Sequence, residues 1–184
     1  MQKNIRSVIL AGMFAAVIGV LAQFSIPLPF SPVPLTLQTF AIGLTATILG
    51  SKTGTYAIVG YLLMGMIGLP VFAGGGAGIS SLVGPTGGFL VGFIFNGLIT
   101  GLIIEKTKFN YFWAIVANIV GAVVTLAFGT AWLKVSGSMP WPHAFTAGFF
   151  PFVLPGIIKA VAASYIGVLV GKRLPFINKI YRHA

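Results

Sequence analysis

Apolar and polar positions alternate along this chain in long blocks rather than in short periods. Ser7 to Ser51, Thr53 to Ile104, Phe109 to Leu133 and Val135 to Ile158 contain no charged residue. A helix needs roughly 20 apolar residues to cross a bilayer. The two long blocks therefore hold two spans each and the two shorter ones about one each. The spans are predicted at about 8–26, 36–49, 55–69, 88–104, 111–133 and 149–171. The expected fold class is an all-α integral membrane protein with six transmembrane helices in a single membrane domain, residues 1–184. Lys3 and Arg6 before the first span resemble a signal-peptide n-region, with "VLA" (20–22) as a weak cleavage site. The long apolar run leads directly into a second span, which favours an uncleaved first span.

The breaks between spans differ in kind. "GSKTG" (50–54) and "EKTKFN" (105–110) are short and charged. "PLPFSPVPL" (27–35), the stretch 70–87 and "KVSGSMPWPHAF" (134–145) are longer and rich in Gly, Pro and aromatic residues. The densest is "PVFAGGGAGISSLVGPTGGF" (70–89), with seven glycines, two prolines and no charge. Irregular backbone at membrane depth is tolerated where it is buried in protein or lines a cavity. The segment is thus expected to be buried in protein or to line a cavity, with its backbone N–H groups as candidate donors.

Composition agrees with the pattern. Charged residues make up 7% of the chain and its mean hydropathy is +1.03, whereas soluble domains carry about 25% charged residues. The net charge of +10 would suit nucleic acid if it formed a patch. Six spans instead put Lys3, Arg6, Lys52, Lys106, Lys108, Lys172, Arg173, Lys179 and Arg182 on one side, nine of the eleven basic residues. The positive-inside rule then assigns both termini to the cytoplasm of a cell membrane. The remaining side has Lys134, Lys159 lies within the last span, and no nucleic-acid surface is expected.

Catalytic and energy-coupling motifs are sparse. The chain has no cysteine, no aspartate and one glutamate, Glu105. His143 and His183 fall on opposite sides of the membrane, so neither a metal pair nor a Ser–His–Asp set is available. The glycine run has Gly74 and Gly76 but Ile79 where G-x-G-x-x-G needs glycine. "GSKTG" is not a Walker A loop, because Ser51 precedes the lysine and Ala46 holds the first glycine position. No enzyme, cofactor or ATP site is expected, and uphill transport would draw on a partner or an ion gradient.

Lys159 is the most informative single residue. At about 1.5 Å per residue it lies roughly 15 Å from one end of its span and 18 Å from the other. An intramembrane cation normally pairs, and Glu105 is predicted at the cytoplasmic surface. Either an anionic ligand supplies the counter-ion, or the lysine is neutral or hydrated in a crevice. Among the other intramembrane polar groups, Gln23, Asn96 and Asn118 suit interhelical hydrogen bonds. Thr36 and Gln38, just after the proline-rich loop, are placed to line a cavity. Small residues recur at every fourth position at Ala11, Ala15 and Gly19, at Gly97 and Gly101, and at Ala163, Gly167 and Gly171. Such faces permit close helix packing, and the first is the best candidate for a partner.

"PVPLTLQTF" (32–40), "GLPVFAGGGAG" (68–78), "GPTGGFLVGF" (84–93) and "PGIIKA" (155–160) resemble the BioY family across nearly the whole chain. These are the S-components of energy-coupling factor (ECF) biotin transporters. The resemblance implies an S-component bundle whose outward loops 27–35 and 70–87 close over biotin. It also implies import with a transmembrane T-component and two ABC-type ATPases, docked through an Ala-x-x-x-Ala face, here Ala11 and Ala15. The implied binding residues are Lys159, Gln38, Thr36, Phe72, Gly75, Gly76, Thr86, Phe89, Gly156 and Tyr165. Lys159 would take the valerate, and Phe72, Phe89, Tyr165 or Trp141 the fused ring. The family commonly carries an acid three positions before the lysine, where Gly156 stands, by replacement or by a deletion beside it. Some members have Asn near Gly76 and Arg near Leu90. Main chain of the glycine segment, Gln38 or Thr86 would then substitute. The alternatives are a stand-alone secondary transporter and an S-component for a related small anionic compound.

Overall fold

A computed structural model describes residues 2–173; Lys179, Arg182 and His183 lie outside them. Helix α1 covers Gln2–Ala22, strands β1 and β2 cover Ser25–Leu28 and Ser31–Thr36, and α2 covers Gln38–Met66. A single 3-10 turn, Ala73–Gly75, precedes α3 (Ser80–Val83). Then follow α4 (Gly87–Lys106), α5 (Tyr111–Ser136), α6 (Trp141–Gly148) and α7 (Phe150–Arg173).

Helix α2 is two antiparallel limbs, 38–49 and 51–66, folded at Gly50 (φ 74°, ψ −175°). That left-handed φ is open to glycine at no steric penalty. A Cβ at Gly54 would sit 3.2 Å from Ala46 Cα, so the limbs touch directly below the fold. The turn therefore takes one residue instead of the five of "GSKTG". Ser51 starts the second limb at once because the Glu105 carboxylate accepts from both Ser51 N and Ser51 Oγ, each at 2.6 Å. An anion at a helix N-terminus meets unsatisfied N–H groups and the positive end of the helix dipole. Gly101 admits the fold against α4, since a Cβ there would overlap the Ser51 backbone.

Six long helices result: α1, the two limbs of α2, α4, α5 and α7. Helices over Ile5–Ala22, Gly87–Lys106 and Tyr111–Ser136, and the stretch Trp141–Arg173, are long and apolar enough to cross a membrane. Arg6, Lys52, Lys106, Lys108, Lys172 and Arg173 gather at the end of the bundle that carries the Gly50 fold, here the fold end; Lys134 lies at the other. Polar pairs tie the helices together as expected of them. Asn118 donates to Thr47 (2.9 Å) and Ser164 (3.0 Å), and Asn96 to Thr125 (3.0 Å). Gly97 admits Ile58 of α2.

The breaks between spans contain elements that the sequence reading did not predict. The break 27–35 is the centre of a β-hairpin, with Ser25 opposite Thr36 and Leu28 opposite Ser31. Its alternating prolines are compatible with pairing because each strand of a two-stranded ribbon has a free edge. The span expected to reach residue 26 stops at Ala22, where Gln23 Nε2 turns back onto Gly19 O at 2.9 Å. The break that starts at residue 134 runs into α6, to which the hairpin is tied by Ser31 Oγ donating to Ala147 O at 2.7 Å.

Candidate functional site

The hairpin, the 70–87 segment and the upper parts of α2, α4, α5 and α7 enclose a cavity at the end opposite the Gly50 fold. The cavity has a volume of about 170 Å³. The walls are mainly apolar. Val33 of β2 packs with Phe89 of α4 and Phe152 of α7 to close one side. Phe72, Leu90 and Phe93 close another and merge with the core around Tyr61. Thr86, at the N-cap of α4, and Phe89, Leu90 and Phe93 on it share one face by helical spacing. On α7, Phe152, Gly156 and Lys159 do the same.

Polar groups converge at the start of α2. Lys159 Nζ donates to the Thr36 carbonyl at 2.9 Å, its one hydrogen bond among the described residues. An ammonium has three donors, so two remain. Thr36 Oγ1 donates to Gln38 Oε1 at 2.9 Å, and Gln38 Nε2 donates to Tyr61 Oη at 2.6 Å. Thr39, one residue on, lines the cavity with a buried Oγ1 that has no hydrogen-bond partner. The chain's one carboxylate, Glu105, is bound to Ser51 at the far end, so no acidic side chain borders the cavity.

Eight of the ten predicted contact residues meet here: Lys159, Gln38, Thr36, Phe72, Gly76, Thr86, Phe89 and Gly156. Two do not. Tyr165 is 58% exposed and stacks on Tyr111 with ring centroids 5.2 Å apart. Six residues beyond Lys159 is about 1.7 helical turns, which carries it off the cavity face and toward the fold end. Gly75 turns the chain at φ 80° without joining the wall. Trp141, the further aromatic candidate, is 48% exposed and packs on Phe145 of α6. The main chain of the glycine segment also differs from expectation. The N–H groups of Phe72, Gly75, Gly76 and Gly78 bond Gly76, Phe72, Ala73 and Gly65 carbonyls, so they hold the segment's own shape. Gln23 Nε2 and Trp132 Nε1 brace it from outside, on Phe72 O (3.3 Å) and Gly84 O (2.9 Å).

Sequence reading missed Phe93, Thr125, Leu126 and Phe152 on the wall. A signal was present in α5, where Gly121, Thr125 and Gly129 recur at every fourth position. A Cβ at Gly129 would overlap the Phe89 ring and one at Gly121 would overlap Asn96, so this stripe admits α4 and sets the cavity's width. A second concavity lies between α1 and the 51–66 limb, near the fold end. Ala11, Gly12 and Ala15 line it with Lys52, Tyr56 and Gly60. Ala15 is buried and Ala11 half-buried, so the two alanines form its floor.

Comparison with known proteins decides the family. A model described as the BioY family matches residues 1–176. The chain belongs to the BioY family. BioY relatives include the biotin transporter BioY2 of Lactococcus lactis subsp. cremoris, 42% identical and covering 95% of each chain. The biotin transporter BioY of Thermotoga maritima is 42% identical over 91% of this chain and 96% of that one. Among solved structures, the S-component for biotin from an ECF-type ABC transporter matches with a TM-score of 0.86 at 26% identity, over 93% of both chains. The chain is thus a multi-pass membrane protein with the BioY S-component fold.

Proposed function

We propose that this chain is the S-component of an ECF transporter and that the cavity captures biotin. The observation that carries the reading is Lys159, an ammonium on a largely apolar wall, bonded once to a carbonyl and bordered by no carboxylate. Biotin has two chemically distinct ends, a carboxylate on a flexible chain and a neutral bicyclic head. The carboxylate fills the two open donors of Lys159 with charge-assisted hydrogen bonds, which are about twice as strong as neutral ones. The head lies among Phe72, Phe89 and Phe152, with Thr36, Gln38 and Thr86 as neutral polar partners and Gly76 giving close approach.

The hairpin and the 70–87 segment open and close over this site from the extracellular side of a cell membrane. Support for that orientation comes from the basic residues gathered at the fold end, which the positive-inside rule assigns to the cytoplasm together with both termini. The relatives named above are transporters, and here too the task is capture and delivery rather than catalysis. Delivery falls to a T-component driven by two ABC-type ATPases, seated on the groove whose floor is Ala11 and Ala15. One observation favours a second reading, a related small anion with more bulk near its head. A Cβ at Gly156 would meet no atom within 4 Å, so the wall is recessed there.

Calorimetric titration of the purified chain with biotin, thiamine and riboflavin tests the proposal. Saturable one-to-one heat is expected for biotin alone. Absence of biotin heat would overturn it.

A further inference from the structure

We propose that a groove beside the hairpin is a side exit from the cavity, through which the site also takes biotin lengthened at its carboxyl end. The ligand class is a secondary amide, with biotin joined to an alkyl chain such as the side chain of lysine. The inference rests on the biotin reading above and adds a second class of ligand to that site.

The groove runs between the base of the hairpin and α7 and has a volume of about 670 Å³. Phe24, Ile26 and Leu35 line it on the hairpin side, and Leu154 and Ile158 on α7. Thr36 and Lys159 line both the groove and the cavity, so the two spaces meet at that pair. One hydrogen bond spans the boundary, from Lys159 Nζ to Thr36 O at 2.9 Å. The cavity alone, at about 170 Å³, is smaller than the roughly 300–1,000 Å³ of most small-molecule sites. Further room for a ligand therefore lies past Lys159, the group that meets its carboxyl end.

From Lys159 the groove climbs α7 to Leu154, about 7.5 Å toward the start of the helix. Leu154 is 67% and Ile158 61% exposed, and at four residues apart they share one face. An alkyl chain laid along them is sheltered on its apolar length, and its polar end emerges at the cavity end of the bundle. A secondary amide keeps a carbonyl oxygen to accept from Lys159, a bond to a charged group and so stronger than a neutral one. A lipid acyl chain matches the same apolar length but brings no acceptor to the Lys159 end. The hairpin stays closed while the chain passes beside it. Ser25 remains paired with Thr36 at its base, and Ser31 remains tied to Ala147 of α6. Neither Ser31 nor Ala147 lines the groove.

The test is calorimetric titration of the full chain in lipid nanodiscs, where acyl chains compete for the groove. The ligands are biotin, its primary amide and its amide with the ε-amino group of lysine. In wild type the lysine amide is expected to bind within about threefold of the primary amide, because its extra chain has a place to lie. Ile158→Trp fills the groove and should weaken the lysine amide by about tenfold or more through steric overlap. Biotin and the primary amide should stay within about twofold in that variant, since Ile158 is an exposed position, and their binding also reports that it has folded. Ile158→Ala, which leaves the groove open, should bind all three ligands as wild type does. A lysine amide that gives no heat where the primary amide does would overturn the inference and leave the biotin reading standing. So would an Ile158→Trp variant that binds the lysine amide normally or loses all three ligands equally. A wild-type chain that gives no biotin heat overturns the biotin reading first and this inference with it.

Discussion

A half-buried ion sits at each end of the bundle, Glu105 at the fold end and Lys159 at the cavity end, and the two are held differently. At the fold end the only acidic side chain, Glu105, is engaged on both oxygens: Ser51 donates to it from backbone and side chain, and those bonds start a helix. At the cavity end Lys159 is engaged once, by the Thr36 carbonyl, and keeps two donors open. Both ions are stabilised by neutral dipoles instead of by each other. The ions and their dipoles are opposite in sign, and they differ in engagement: both carboxylate oxygens accept, whereas one ammonium donor of three is used. An ion whose bonds start a helix is structural, and an ammonium with open donors on a cavity wall marks a place for a ligand.

Glycine shows the same division. At the fold end Gly101 exists so that backbone can touch backbone, since a Cβ there would overlap Ser51. At the cavity end Gly156 faces open space within 4 Å. One glycine permits contact and the other leaves room.

This comparison can be broken by substitution. The largest stability effect should follow Glu105→Ala, which leaves the start of the 51–66 limb uncapped. Loss of hydrogen bonds to a charged group predicts a drop of about 3 kcal/mol, seen as a lower thermal midpoint, with biotin affinity within about threefold of wild type. A biotin affinity that collapses while the midpoint holds would reverse the roles assigned to the two ions. Next comes Gly101→Ala, where forcing a methyl group into packed backbone should destabilise by about 1–3 kcal/mol. An unchanged midpoint would show that the fold at Gly50 has slack. Smallest is Gly156→Ala, expected to raise the stability of the unliganded chain by about 0.5–1 kcal/mol, the helix-propensity difference. Its biotin affinity should fall if the ligand occupies the recess and stay level if the recess is empty; a loss of stability would show that the wall is closed there.

Much of this was legible in the sequence, because uncharged blocks and isolated charges are one-dimensional signals. The six long helices, the placement of Lys159 away from any acid, and the gathering of basic residues at one end all follow from counting along the chain. Details that depend on phase or pairing did not follow. Tyr165 is a candidate by family resemblance, but six residues from Lys159 is the wrong helical phase. Phe152 is the converse: it lies four residues before Gly156 and therefore on its face. The hairpin at 25–36 was hidden by its prolines, which read as breakers until each strand is seen to have a free edge. Gln38 was visible as a candidate, but its partner Tyr61 is 23 residues away on the other limb, and only the fold at Gly50 brings them together.

The most direct test is Lys159→Met, titrated with biotin and with its neutral primary amide. If the carboxylate sits on Lys159, biotin affinity falls about 100-fold, as expected for lost hydrogen bonds between charged groups worth about 1.5–3 kcal/mol. The amide, already without the charge, should lose less than about fivefold by the same argument. An equal loss for both ligands, or none for biotin, would contradict the account.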